Sequence, residues 1–241
     1  MMLKNSEILL TEPRGFCAGV ERAIEIVNRA VEIFDETIFV KHEVVHNKHV
    51  IEQLVNKGVV FVESLEAIPD QSILIYSAHG VSKEISELAT KKRLKVFDAT
   101  CPLVTKVHFE IHKFASQNID VVLVGHSGHP EVEGTMGQYI SEKGKIHLVE
   151  TNDDIKKLKI ENKNIAYVTQ TTLSVDDTKS IVSCLKNKFP NIIGPRKDDI
   201  CYATQNRQEA VKKILEFCDS LIVVGSKKST NTQRLKEIGV Q

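Results

Sequence analysis

The chain has 241 residues, 41% of them hydrophobic and 27% charged, and its 32 basic and 32 acidic side chains cancel to a formal net charge of zero. That length and composition support a large buried core and exclude a disordered chain. The balanced charge argues against a broad nucleic-acid-binding face and requires any anionic ligand to be held by local donors rather than by an overall field.

In chain order, Glu7–Leu10 reads as a strand, and the loop Pro13-Arg14-Gly15-Phe16 delivers Cys17 to a helix start. From Val20 to Phe34 apolar residues recur every three or four positions, the pattern of an amphipathic helix. A strand is expected at Ile38–Val40, then His46 and Asn47, a short helix through Leu54, and strands at Val59–Val62 and Ile73–Tyr76. Ser77-Ala78-His79-Gly80 follows, then a helix from Val81 to Lys92 and a strand from Lys95 to Phe97. The same order then repeats. Cys101 opens a helix to about Ser116, the strand Val121–Val124 ends in the polar loop Gly125–Thr135, and strands are expected at Lys143–Glu150 and Asn164–Val168. Thr169-Gln170-Thr171-Thr172, a helix from Val175 to Lys188 and a strand near Ile192 complete this unit. A third begins at Cys201, with a helix over Ala210–Cys218, a strand over Leu221–Val224 and the loop Gly225–Asn231.

Alternating strands and helices predict an α/β protein of mainly parallel sheets, with ligands gathered beyond the carboxyl ends of the strands. The repeat predicts three pseudo-threefold-related lobes around a central site: 19–101, 102–197 and an incomplete third at 198–241. Residues 1–18 are expected to supply a strand and the first cysteine loop, packing with the third lobe.

No apolar run reaches the length of a membrane helix, and no secretory leader precedes the first strand, so the expectation is a cytoplasmic protein without a membrane partner. Five scattered cysteines fit thiol or metal chemistry better than a disulfide framework. Cys184 and Cys218 lie within helix patterns and read as small buried hydrophobes. Cys17, Cys101 and Cys201 each stand at a strand-to-helix junction, where the helix N-terminus favours a thiolate. Three equivalent lobes would bring these sulfurs together, as ligands of a zinc ion completed by a histidine or of a 4Fe-4S cluster with one open iron. About 28 residues after each cysteine the chain reaches His46, His129 or Ser229. With His79, Thr171 and Asn231 these residues sit at strand ends and suit a diphosphate, and Glu131 is a candidate proton donor. His42-Glu43-Val44-Val45-His46 matches the His-Glu-x-x-His pattern of zinc hydrolases, which requires both histidines on one helical face. Here a strand ends just before it and two β-branched valines fill its middle, so the match reads as accidental. A zinc hydrolase using His42 and His46 is the enzyme alternative, and a non-catalytic iron-sulfur binding fragment the other.

The run Pro-Arg-Gly-Phe-Cys-Ala-Gly at 13–19 and His-Glu-Val-Val-His-Asn at 42–47 resemble the 4-hydroxy-3-methylbut-2-enyl diphosphate reductase family. Ser-Ala-His-Gly at 77–80, Asp-Ala-Thr-Cys-Pro at 98–102, Gly-His-Pro-Glu-Val-Glu-Gly-Thr at 128–135 and Thr-Gln-Thr-Thr-Leu-Ser at 169–174 add to the resemblance, as do Asp-Ile-Cys-Tyr-Ala-Thr at 199–204 and Val-Gly-Ser-Lys at 224–227. The resemblance implies a 4Fe-4S cluster on Cys17, Cys101 and Cys201, and reductive removal of an allylic hydroxyl to give isopentenyl and dimethylallyl diphosphates. It implies that Glu131 supplies protons with Thr171 beside the same oxygen, and that His46, His79, His129, Ser229 and Asn231, joined by Thr171 and Thr230, hold the substrate. Single electrons would come from a ferredoxin- or flavodoxin-type donor. Thr230 departs from the family's usual serine, and the family's third lobe runs past Gln241 to a further phosphate-binding serine. A 241-residue form is therefore expected to have a cavity open on one side, an uncovered Leu221–Val224 face, weak substrate binding and reduced stability.

Overall fold

A computed structural model describes residues 7–240. Its first sheet is built from β1 (Ile38–Lys41), β2 (Val60–Val62), β3 (Ile73–Tyr76) and β4 (Lys95–Asp98), all parallel in the order β2-β1-β3-β4. Helices α1 (Ala18–Ile33), α2 (Lys48–Asn56) and α3 (Lys83–Lys91) connect and cover it. The apolar stripe of α1 delivers Ala23, Val27 and Ala30 onto Ile38, Val40, Ile73 and Ile75, all almost fully buried. Each Val or Ile side chain removed from water in this way contributes about 1.5–3 kcal/mol.

The second sheet has the order β6-β5-β7, from β5 (Asp120–Val124), β6 (Ile146–Val149) and β7 (Ile165–Thr169), again parallel. It is flanked by α4 (Pro102–Ser116), α5 (Pro130–Met136), α6 (Asn152–Lys157) and α7 (Val175–Lys188). Every residue of β5 and β7 is buried, as parallel strands covered on both faces require. Asn47, Ser82, Thr151 and Ser174 cap their helices through side-chain oxygens, each cap contributing about 1 kcal/mol.

Beyond residue 198 the described residues form two helices, α8 (Tyr202–Ile214) and α9 (Thr230–Ile238), and no strand. Three expected strands are corrected here. Residues 7–10 and 221–224 are irregular, because neither run finds a hydrogen-bonded neighbour among the described residues. Ile8 is 84%, Ile222 86% and Val224 93% exposed, while Leu221 and Val223 are half-buried, so 221–224 is an irregular segment rather than the expected uncovered face. Near Ile192 the chain makes only an isolated bridge, Ala166 to Ile193. Residues 1–6 of the N-terminal segment lie outside the described residues, and Arg207 Nη2 donating to the Gly15 carbonyl (2.8 Å) ties its cysteine loop to α8. Helix α8 starts eight residues earlier than the apolar pattern indicates and ends before Cys218, which is half-buried in a loop. Polar side chains anchor that early start: buried Gln208 accepts from Val175 N–H and donates to the Leu173 carbonyl.

Candidate active site

Cys17, Cys101 and Cys201 are the N-cap residues of α1, α4 and α8, so three helix N-termini carry one thiol each. Cys101 N–H donates to the Ala78 carbonyl (3.0 Å) and Cys201 N–H to the Thr171 carbonyl (2.9 Å), the second residues after β3 and β7. The two lobes therefore hang their thiol loops from equivalent points. Gly19 supplies the clearest sign of convergence: a Cβ there would lie 3.0 Å from Cys101 Sγ and 3.9 Å from Cys17 Sγ. Cys201 also acts electrostatically on Cys101. All three thiols are partly buried, and none forms a disulfide.

Helix position favours thiolates in the sequence reading, but burial pushes the Cys101 thiol up, and its neighbours Cys17 and Cys201 add to the rise. Backbone N–H groups of Leu103 and Val104 oppose this and do not prevail. A buried Cys101 thiol with two further cysteines beside it is what a cation would relieve, since a bound metal deprotonates its thiols outright. The residues thus fit a metal group. Gly19→Ala is expected to lower metal retention sharply without unfolding the protein, measured as metal per chain beside the melting temperature.

His46 follows β1, His79 follows β3 and His129 caps α5. Their ring centroids are 4.6 Å (His46–His79), 5.7 Å (His46–His129) and 5.6 Å (His79–His129) apart. Gly80, at φ +75°, permits the turn that places His79, and a Cβ there would meet the His108 ring at 2.7 Å. His129 Nδ1 accepts from Glu131 N–H (3.2 Å), which leaves its proton on Nε2 as a donor. Burial and the adjacent imidazoles hold His79 well below its ordinary value, and hold His129 at about 4. The His79 and His129 rings are therefore neutral N–H donors beside His46. His46 Nε2 and Asn231 Oδ1 are buried and make no protein hydrogen bond, as groups awaiting a ligand would be.

Glu131 and Thr171 lie 4% and 5% exposed. Thr171 N–H donates to Glu131 Oε1 (2.6 Å), and Thr171 Oγ1 lies 3.0 Å from Oε2. Burial raises the carboxyl to about 7; the Thr171 bonds pull it down and nearby Asp199 pushes it up.

Ser229 caps α9, its Oγ accepting from Thr232 N–H (3.3 Å), and Asn231 is in the first turn. Thr230 lines a cleft of about 660 Å³ together with His46 and His129. Lys228 Nζ reaches Glu43 (3.1 Å), whose other oxygen faces His46 Nδ1 (3.5 Å). Arg234 Nη2 meets His126 Nε2 at 2.6 Å and so joins α9 to the second lobe.

The zinc-hydrolase geometry does not form. Residues 42–46 are not helical, His42 has φ +63°, and its ring is taken by Glu63 (2.6 Å) and Lys41 (2.7 Å), while His46 turns toward His79 and His129. The latter three imidazoles could themselves take an ion, their nitrogens lying within 4.8 Å of one another. Sequence reasoning passed over Gly19, Asp199 and Arg234. Asp199 had a signal, for it stands two residues before Cys201 much as Asp98 stands three before Cys101. It is buried, accepts Thr169 N–H and pairs with Lys106 (both 3.0 Å).

An α/β protein with cysteine thiols at three helix N-termini and imidazoles just beyond the ends of its parallel strands has the donors of an enzyme that works with a metal on a small polar substrate. The sequence model of the LytB protein family matches residues 8–241, and the chain belongs to that family. It is 60% identical over 233 residues to a 4-hydroxy-3-methylbut-2-enyl diphosphate reductase of Methylococcus capsulatus, covering 96% of this chain and 74% of that relative. The enzyme of the same name from Nitrosomonas europaea is 58% identical over 232 residues, covering 96% and 72%. The solved E-1-hydroxy-2-methyl-but-2-enyl-4-diphosphate reductase of Plasmodium falciparum superposes with a TM-score of 0.91 at 48% identity, over 95% of this chain and 71% of that one. A second solved (E)-4-hydroxy-3-methyl-but-2-enyl diphosphate reductase, described as the terminal enzyme of the non-mevalonate pathway, gives 0.74 at 34% identity, over 96% and 81%.

Proposed function

We propose that the reaction of this family runs between the three thiols and the three imidazoles, with Glu131 as proton donor. The chain is an oxidoreductase, a 4-hydroxy-3-methylbut-2-enyl diphosphate reductase of the non-mevalonate route to isoprenoids. The observation that carries the site assignment is the link Glu131–Thr171–Cys201, in which one residue bonds the buried acid by its N–H and hydroxyl and the thiol loop by its carbonyl.

Cys17, Cys101 and Cys201 would hold a 4Fe-4S cluster. Such a cluster with three thiolate ligands supplies an open Lewis-acidic iron and one-electron steps. The residues do the rest. His46, His79, His129, Ser229, Thr230 and Asn231 hold the diphosphate and point the allylic hydroxyl toward Thr171. Protonated Glu131 donates from Oε2 to Thr171 Oγ1, which passes a proton to the leaving oxygen. Cleavage of the C–O bond takes two electrons and two protons: one proton leaves in water with the hydroxyl, and the other ends on the allylic carbon. A ferredoxin- or flavodoxin-type donor delivers the electrons singly. No helix of the described residues is long and apolar enough to cross a membrane, which supports a cytoplasmic setting.

Anaerobic reconstitution with iron and sulfide should give a brown protein that reduces the substrate with an artificial one-electron donor; a colourless protein holding stoichiometric zinc would refute the cluster. His42→Ala should leave the colour intact, whereas a zinc hydrolase would lose its metal.

The imidazoles give an independent test. A bound diphosphate raises the depressed values of His79 and His129, so binding should take up protons. Calorimetric titration of inorganic diphosphate at pH 6, in buffers of different ionisation enthalpy, measures this uptake. Binding without it would remove these histidines from the anion site.

A further inference from the structure

A second cleft, of about 820 Å³, shares no lining residue with the cleft at His46 and His129. Its walls are one face of α4 from Pro102 to Phe114, Arg22 of α1, the end of β4 and the loop at 193–196, so that one end of it abuts the Cys101 loop. Phe109 (69% exposed) and Ile193 (45% exposed) form its apolar part. Arg22, Lys113 and Arg196 stand around it with exposed side chains. Lys106 is also present, but Asp199 and the Lys197 carbonyl engage it. The acids on the wall are Asp98 and Glu110. In a chain whose charges cancel overall, this is a local excess of cations around an apolar centre. Transient protein interfaces have that anatomy, and complementary charge accelerates their encounter.

The position matters as much as the charge. Thr100 and Pro102, on either side of Cys101, both line the cleft. Arg22 Nη1 donates to the Thr100 carbonyl (3.1 Å), and Thr105 Oγ1 donates to that of Cys101 (3.3 Å). A body seated here rests one residue from a thiol, without obstructing the imidazoles.

We infer that this cleft is the docking surface of an acidic one-electron carrier protein, which passes electrons inward at the Cys101 loop. The inference rests on the function proposed above, since a reductive step that holds no electron store for two equivalents must be supplied from outside. An exposed aromatic and aliphatic centre favours a folded protein over a nucleic acid, and the cations require it to be acidic.

The test compares donors on the reconstituted protein. Lys113→Glu with Arg196→Glu should lower kcat/KM for a reduced acidic flavodoxin or 2Fe-2S ferredoxin on the order of tenfold or more. Turnover driven by reduced methyl viologen, which needs no docking surface, should stay at the wild-type rate. Binding of the oxidised carrier, followed by calorimetry, should weaken by a similar factor, and its salt dependence should flatten. Reversal of Lys156 and Lys157 on α6 should change none of these. Unchanged carrier kinetics and binding, equal loss with methyl viologen, or an equal effect of the α6 reversal would each overturn the inference. A wild-type protein that fails to reduce the substrate with methyl viologen would instead overturn the proposed function.

Discussion

Glu131→Gln is expected to lower kcat by a factor of about 10²–10⁴, the usual contribution of a positioned proton donor, with iron content unchanged. Glutamine preserves both contacts, accepting from Thr171 N–H and donating to Thr171 Oγ1, so the local fold should persist. What it lacks is the proton. The pH profile carries the same assignment. A donor must be protonated, and burial places this carboxyl at about 7. Wild-type turnover should therefore fall as pH rises through about 7, and the residual turnover of Glu131→Gln should lack that limb. Stability supplies a further sign. The folded value lies above the ordinary 4.5, so the contribution of Glu131 is fully present below 4.5 and is lost as pH rises through about 7. Above that pH the glutamine variant should melt higher than wild type while being nearly inactive. A variant that keeps wild-type turnover would remove Glu131 from the mechanism.

Cys17→Ser, Cys101→Ser and Cys201→Ser should each abolish the broad visible absorption, iron binding and turnover together. Serine has nearly the same shape but provides no soft thiolate, and three ligands leave no spare. The remaining cysteines are the control. Cys184 packs against the core of the second sheet and Cys218 lies in a loop, so serine at either position should leave colour and activity near wild type. Full colour in any one of the first three variants would show that the cluster is held otherwise.

The repeated order of strand, thiol and helix was legible because it is local. Apolar spacing located α1, α7, β3 and β5 closely, and the three cysteine junctions were found by comparing the chain with itself. Helix α5 was read as a polar loop. Pro130, Glu131, Glu133 and Gly134 show little apolar spacing, and the helix forms because His129 caps it and Val132 packs into the core against β5 and β7. The strands expected at 7–10 and 221–224 failed for the opposite reason. Their β-rich composition is local, whereas a parallel strand exists only where a neighbour accepts its hydrogen bonds.

Sequence alone therefore determined the fold class, the three thiols and the residue types around them, since spacing and chemistry are written along the chain. The tertiary structure decided what each group does with its neighbours. It left His42 on Glu63 and Lys41 while bringing His46, His79 and His129 into one nest. It raised the Cys101 thiol where helix position alone predicted a fall, because burial among other sulfurs outweighs two backbone N–H groups. It also set Glu131 against Thr171, forty residues away in the chain, at a depth where a carboxyl keeps its proton near neutral pH. Burial and partner distance are properties of packing, and no stretch of sequence contains them.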